Sequence, residues 1–295
     1  MSINRFTRIS CLVWAIILTI SVWIAPANAA TPPNDCVGIA SDSNGDGHVT
    51  MQLPTMPDGT EGDIGIIYVR PLYTILREQL DALGLQDLAT ADHSMTAAGL
   101  TASERTNYLR SSQYGGLIAD RCRYVIVGPF IPDVAAGKAT PNEYAAQLLP
   151  LIGGLIEKNP QTQIFVLNHY QTARADFTVS NNGFGMTPER IASFQAKLTE
   201  ICRPEGFLGR IPQVTCLDTQ PLFDGMGTSY LLGDTTLTDF QALVFRPTGF
   251  RPTVEAFFKD HPDSYVIGDG IHLSLAGRTR LMQRLAAIIS RSSAF

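Results

Sequence analysis

Tyr124-Val125-Ile126-Val127 and Ile164-Phe165-Val166-Leu167 are two short, continuously apolar runs. Between them, residues 142–157 read as a helix that stops at Asn159-Pro160. Four apolar residues in a row, bounded by turn signals, describe a strand buried on both faces. A strand, a helix and a second strand in succession describe two parallel strands joined by a crossover helix.

The alternation extends in both directions. Residues 37–40 follow Thr31-Pro32-Pro33-Asn34-Asp35 and read as a first strand. Residues 70–83 set Leu72, Ile75, Leu76, Leu80 and Leu83 at helical spacing, with Pro71 suited to the first turn and Gly84 to the stop. Residues 88–95 read as a second strand, 103–119 as a helix, 188–201 as a helix, 214–217 as a strand and 274–289 as a C-terminal helix. This order predicts an α/β fold with a parallel sheet between helices. In such sheets the chemistry sits beyond the C-terminal ends of the strands. Functional residues are therefore expected just after Ala40, after Val127 and near the end of the chain.

Composition narrows the classes. Of the 295 residues 45% are hydrophobic and 17% charged, against about 25% charged in an average soluble domain. That apolar content, with a net charge of only −5, excludes extensive disorder and argues against a nucleic-acid partner, which would need a basic patch. At the N-terminus, Arg5 and Arg8 precede the apolar run 11–25 and then Ala27-Asn28-Ala29. These are the three parts of a secretory signal peptide, so residues 1–29 are expected to be removed. The run is short for a bilayer span of about 20 apolar residues, and no stable membrane span is expected after cleavage. The remaining chain carries 20 basic and 27 acidic residues. It reads as one domain over residues 30–295, secreted or periplasmic, with an insertion at about 224–268 that breaks the alternation. The insertion holds Tyr230, Phe240, Phe245, Phe250, Phe257 and Phe258. It also holds the near-repeat Phe245-Arg246-Pro247-Thr248-Gly249 and Phe250-Arg251-Pro252-Thr253. A loop of this length suits a lid, a binding wall or a packed decoration. Cys11 leaves with the signal, and Cys36, Cys122, Cys202 and Cys216 remain. An even number in an exported chain suggests two disulfides, with three possible connectivities. No Cys/His spacing suits a structural zinc.

Two clusters could carry chemistry. Ser41-Asp42-Ser43-Asn44-Gly45-Asp46-Gly47 follows the first strand, and Gly268-Asp269-Gly270-Ile271-His272-Leu273-Ser274 precedes the last helix. A serine at a strand end can be a nucleophile if a base reaches it and a further group orients that base. Asp269 and His272, three apart at a turn, can supply both. A serine among Asp and Gly is also an ordinary turn residue. The stretch Asp42, Asn44, Asp46, Gly47 further matches the opening of a calcium loop. Its twelfth position, however, is Leu53, where a bidentate Glu would be needed, and no helix leads in, so no metal ligand set is expected here. His48, His93 and His261 have no partner spacing; His169 follows a strand end and could line the cleft.

Asp269-x-x-His272, with Leu273-Ser274 and a Gly-led helix behind it, resembles the final block of the SGNH (GDSL-type) hydrolases. Ser41-Asp42-Ser43 resembles that family's Gly-Asp-Ser block, with Ser in place of Gly. The helix around Tyr73, Leu76, Leu80 and Gly84 sits where the family's first helix sits. The resemblance implies a three-layer, flavodoxin-like sandwich with a parallel sheet of roughly five strands. It implies that Ser43 is the nucleophile, His272 the general base and Asp269 its partner. It places the backbone N–H groups of Ser43 and Gly99 in the oxyanion hole. The family's third block carries an Asn donor, but here the region reads Gly128-Pro129-Phe130-Ile131-Pro132-Asp133. Either Phe130 stands at the Asn position or that position lies shifted, so the side-chain donor is not visible there, and Asn168 and Asn44 are conceivable substitutes. The family's sheet order puts the first strand beside the third, which implies the pair Cys36–Cys122, and Cys202–Cys216 then closes a short local loop. The expected activity is cleavage of a carboxylic ester in a lipid, an acetylated glycan or a small ester, with no cofactor. The alternatives are a non-catalytic relative that binds a glycan or lipid and, more remotely, calcium-dependent adhesion.

Overall fold

A computed structural model describes residues 34–52, 64–101, 106–135, 138–172, 178–179, 182–183, 186–233, 259 and 267–293. The signal-peptide reading of residues 1–29, and the insertion beyond Gly233 up to Ile267 apart from Lys259, lie outside the described residues. The elements in chain order are β1 (Asn34–Ala40), α1 (Ser43–Asp46), β2 (His48–Gln52), β3 (Ile64–Tyr68), α2 (Leu72–Ala82), β4 (Ala89–Asp92), α3 (Ser112–Asp120), β5 (Cys122–Val127), α4 (Ile131–Val134), α5 (Pro141–Lys158), β6 (Gln163–Leu167), β7 (Thr178–Val179), β8 (Asn182–Gly183), α6 (Pro188–Cys202), β9 (Val214–Leu217), β10 (Ile267–Gly268) and α7 (Leu275–Ser293).

Five strands form one sheet in the order β4-β1-β5-β6-β9. Every neighbouring pair in it is parallel. Renumbered along the chain this is 2-1-3-4-5, the flavodoxin-like order, whose strand direction of travel reverses at β1. Helix α2 packs on α7, while α3 and α6 both pack on α5. The two groups cover opposite faces, as right-handed crossovers require. Both β5 and β6 are consequently buried along nearly their whole length, which explains why they read as continuous rather than alternating apolar runs. They belong to one core cluster that runs from Cys36 in β1 to Ile289 in α7.

The helix expected over residues 103–119 is not one helix. The chain bridges Gly99 to Asn107, turns through a 3-10 segment at Tyr108–Arg110, and becomes helical at Ser112, where Ser111 Oγ caps the Tyr114 N–H. Tyr108 is the reason: it is fully buried, its hydroxyl donates to the His93 carbonyl, and its ring packs on Phe130. A second sheet was not expected at all. β2 and β3 form an antiparallel hairpin, and β10 adds to β2. The pairing of Gly268 with Met51 ties the strand before Asp269 to the strand that begins two residues after α1.

Two disulfides are present. Cys36–Cys122 links the neighbouring strands β1 and β5, and Cys202–Cys216 links the end of α6 to β9. Their sequence separations are 86 and 14. In the chain-entropy view such loops contribute about 4.5 and about 3 kcal/mol through the unfolded state.

Candidate active site

The site begins at the end of β1. Ser41 and Asp42 leave the strand, and Asp42 caps the single-turn helix α1 by accepting the Asn44 N–H at 2.8 Å. Ser43 is the first helical residue and is 9% exposed. The second Asp42 oxygen accepts the Ile131 N–H at 2.7 Å, so this carboxylate joins the turn after β1 to the turn after β5. Burial raises its pKa, opposed by His272 and by the amides of Asn44 and Ile131.

At the other end of the chain, the Asp269 turn closes on itself. Asp269 Oδ1 accepts the N–H groups of Ile271 and His272 at 2.9 and 3.0 Å. Asp269 Oδ2 is hydrogen-bonded to His272 Nδ1. The turn is pinned from outside by Leu232, whose N–H donates to the His272 carbonyl and whose carbonyl accepts the Gly270 N–H. His272 Nε2 then lies 2.5 Å from Ser43 Oγ, across 229 positions of sequence. Burial alone would raise the Asp269 carboxyl, but His272 and the two amides hold it below the usual carboxylate range. Burial disfavours the charged His272, yet the Asp269 carboxylate and, further off, Asp42 raise its pKa above the ordinary imidazole value. The arrangement is a hydroxyl, a base and a carboxylate joined in one hydrogen-bonded line, which is the geometry of nucleophile activation.

The oxyanion side differs from expectation. Gly99 is placed elsewhere: its N–H donates to the Thr106 carbonyl at 3.0 Å. Its Cα also lies against a carboxylate, since a Cβ there would come 2.7 Å from Asp133 Oδ1. Gly99 therefore leaves the oxyanion set. It belongs to a segment held by Asp133, which accepts the N–H groups of Leu100 and Thr101. The amides of Ser43, Thr96 and Ala97 donate to no group among the described residues. Their loop is held at the site by Met95 N–H to the Ser41 carbonyl, 2.9 Å, and by Thr96 Oγ1 to Asp46 Oδ2, 2.5 Å. Ala97 has φ +58°, a left-handed conformation uncommon for a residue with a Cβ.

Neither Asn substitute faces the site. Asn44 is fully buried: its Oδ1 accepts from the Tyr170 hydroxyl and the Leu273 N–H, and its Nδ2 donates to Asp42. Asn168 is bonded to the His169 N–H and the Gln195 carbonyl. Phe130 is fully buried. His169 does not line the cleft; it is fully buried between Tyr144 and Phe194, and burial lowers its pKa to about 4. His93 bonds Asp120, the last residue of α3. The three calcium-loop side chains are turned to protein donors: Asp42 to amides, Asn44 to Tyr170, Asp46 to Thr96. The sequence reading missed Arg278, which is fully buried beside this site. A signal existed, because Arg278 falls on the same helical stripe as Leu281, Met282 and Leu285.

No family model and no curated protein matches the chain by sequence. Solved structures do match its fold. A lipase/acylhydrolase from Enterococcus faecalis superposes with a TM-score of 0.55 at 12% identity, over 87% of this chain and 96% of that one. Est24, a carbohydrate acetylesterase from Sinorhizobium meliloti, gives 0.51 at 14% identity, over 88% and 99%. A Parabacteroides merdae protein described as a GDSL-like lipase gives 0.51 at 13% identity, over 89% and 98%. At these identities the likeness establishes architecture, and the architecture is the one the two terminal motifs pointed to: the chain has the fold of the SGNH (GDSL-type) hydrolases.

Proposed function

We propose that this protein is an exported serine hydrolase of carboxylic esters. The observation that carries the reading is the unbroken line from Ser43 Oγ through His272 to Asp269 at the C-terminal edge of the sheet. Ser43 Oγ attacks the ester carbonyl while His272 Nε2 takes its proton. The oxyanion is held by the Ser43 N–H and the unengaged amides of Thr96 or Ala97. His272 returns the proton to the departing alcohol oxygen, which leaves an acyl group on Ser43. Water attacks that carbonyl with His272 again as base, the acid departs, and Ser43 regains its proton. Asp269 holds the tautomer with Nδ1 protonated and stabilises the imidazolium. The reading takes the chain to be secreted or periplasmic, which the two disulfides and the signal-like N-terminal sequence support. The acyl and alcohol parts belong to a lipid, an acetylated glycan or a small ester.

A fluorophosphonate probe tests the reading directly. It should label Ser43 in the wild type and not in Ser43→Ala, and that variant should lose about 10⁴-fold or more in kcat toward p-nitrophenyl acetate. Full esterase activity in Ser43→Ala, with no adduct on Ser43, refutes it. A second reading, a binding protein on the same fold, is favoured by one observation: Phe130, in the segment after β5 where the family's Asn donor was expected, is wholly buried. That reading requires glycan or lipid binding that survives Ser43→Ala without turnover.

A further inference from the structure

The nucleophile and its base come from opposite ends of the chain, and one contact of 2.5 Å between two flexible side chains does not position them. The residues that follow each of them do. Asn44 follows Ser43, and Leu273 follows His272. The Leu273 N–H donates to Asn44 Oδ1 at 3.1 Å. Arg278, from the first turns of α7, then bridges the two backbones: its Nε donates to the Leu273 carbonyl at 2.9 Å and its Nη1 to the Asn44 carbonyl at 2.5 Å. The Tyr170 hydroxyl lies 2.9 Å from Asn44 Oδ1 and 3.1 Å from the Ile271 carbonyl. Both backbone groups of Leu273, and both the side chain and the carbonyl of Asn44, are thus spent on one cross-link.

We propose that Arg278, acting with Asn44 and Tyr170, is a positioning residue that clamps the Ser43 turn to the His272 turn and sets the hydrogen bond between them. The proposal rests on the reading of Ser43, His272 and Asp269 as a reacting group.

Arg278 is an expensive way to obtain stability alone. It is fully buried, it forms no ion pair among the described residues, and its Nη2 has no partner among them. A buried charge held only by carbonyl oxygens is commonly matched or surpassed in stability by an apolar side chain of similar volume. An apolar side chain would, however, release the Asn44 and Leu273 carbonyls from each other. The planar fork of a guanidinium can hold two acceptors on two segments at once, which an ammonium holds less rigidly. Burial lowers the Arg278 pKa to about 10, so the group stays charged at neutral pH. Its charge also reaches the base. The charged groups facing His272 are Asp269 and Asp42, which raise its pKa, and Arg278, which lowers it. Asp46, Asp42, Asp269 and Tyr170 in turn surround Arg278. Removing Arg278 therefore loosens the geometry and raises the His272 pKa together.

The test uses Arg278→Met and Arg278→Lys in the full chain, with p-nitrophenyl acetate as the probe from pH 5 to 9, thermal melts as the folding control, and the His272 titration read by NMR. Arg278→Met is expected to lower kcat about ten- to a hundredfold, as a displacement approaching 1 Å at the reacting atoms does. KM should stay within about twofold, and the acidic limb of the rate profile should move to higher pH. Arg278→Lys is expected to restore the limb, because it restores the charge, and to recover kcat only in part. A folded Arg278→Met with wild-type kcat and an unmoved limb overturns the proposal. If Arg278→Met does not fold, Asn44→Ser carries the same test from the other side of the clamp, and wild-type kcat there overturns it. A wild type that neither turns over ester nor takes a fluorophosphonate on Ser43 refutes the esterase reading instead. In that event an unmoved His272 titration in Arg278→Met still overturns the clamp.

Discussion

Gly45→Ala isolates the packing that aims Ser43. Gly45 lies two residues after Ser43 in α1, and its Cα rests on the loop after β4. A Cβ at this position would stand 1.9 Å from Ser94 Oγ, 2.6 Å from Ser94 Cβ and 2.9 Å from Ser41 Cβ. Two effects of opposite sign compete. In a helix, Ala in place of Gly is favourable by about 0.5–1 kcal/mol, because it restricts the unfolded chain. Overpacking a filled site costs about 1–3 kcal/mol. Ser94 Oγ can turn away on its own rotamer, but the two Cβ atoms can move only with their backbones. The clash therefore wins, and Gly45→Ala is expected to be destabilised by about 1–2 kcal/mol in urea unfolding. The relief must come from α1 or the β4 loop moving by a good fraction of an ångström, which displaces Ser43 from His272. A loss in kcat of about 10²-fold follows from such a shift. Ser94→Gly in the same chain removes two of the three clashing atoms. Ser94 Oγ has no hydrogen-bond partner among the described residues, so its removal breaks no bond there. The double variant should regain most of the lost stability and activity, with a coupling of about 1 kcal/mol or more in the double-mutant cycle. A Gly45→Ala protein as stable and as active as the wild type would refute the close approach of α1 to Ser94.

Two further predictions concern titrating groups. Asp269→Asn should lower kcat by about 10³- to 10⁴-fold at pH 7, because an amide favours the wrong His272 tautomer. Its acidic limb should shift to lower pH, since the carboxylate that raises the His272 pKa is gone; an unchanged limb would contradict that assignment. His169 should weaken the fold in acid. Its pKa is about 4 when folded against 6.5 for a free imidazole, so the unfolded state binds the proton first. The stability is complete above pH 6.5 and is lost as pH falls toward 4. From pH 7 to pH 5 the loss is about 2 kcal/mol. His169→Phe should remove that increment from the difference between urea unfolding at the two pH values, and equal losses in both proteins would refute it.

What the sequence discloses and what it hides divide along a physical line. The strands β5 and β6 are legible because both faces are covered, so no polar residue interrupts Tyr124 to Val127 or Ile164 to Leu167. Asp269 and His272 are legible because a three-residue spacing at a turn brings a carboxylate to an imidazole locally, without help from the rest of the fold. Gly99 misled because an oxyanion donor is a backbone amide, and every residue but proline has one. Whether an amide is free depends on its partner, and Thr106, which takes the Gly99 N–H, announces nothing in its side chain. The β2–β3 hairpin with β10 was hidden for the same reason: its strands are joined by main-chain bonds, and β10 comes to β2 from more than two hundred residues further along the chain. Arg278 is the instructive case between these. A charged residue on the apolar stripe of α7 is a local contradiction, and such contradictions mark places where something other than packing is being satisfied. The sequence thus shows that Arg278 is out of place on its own helix face. Only the fold shows that the place it fills lies between the residues following Ser43 and His272.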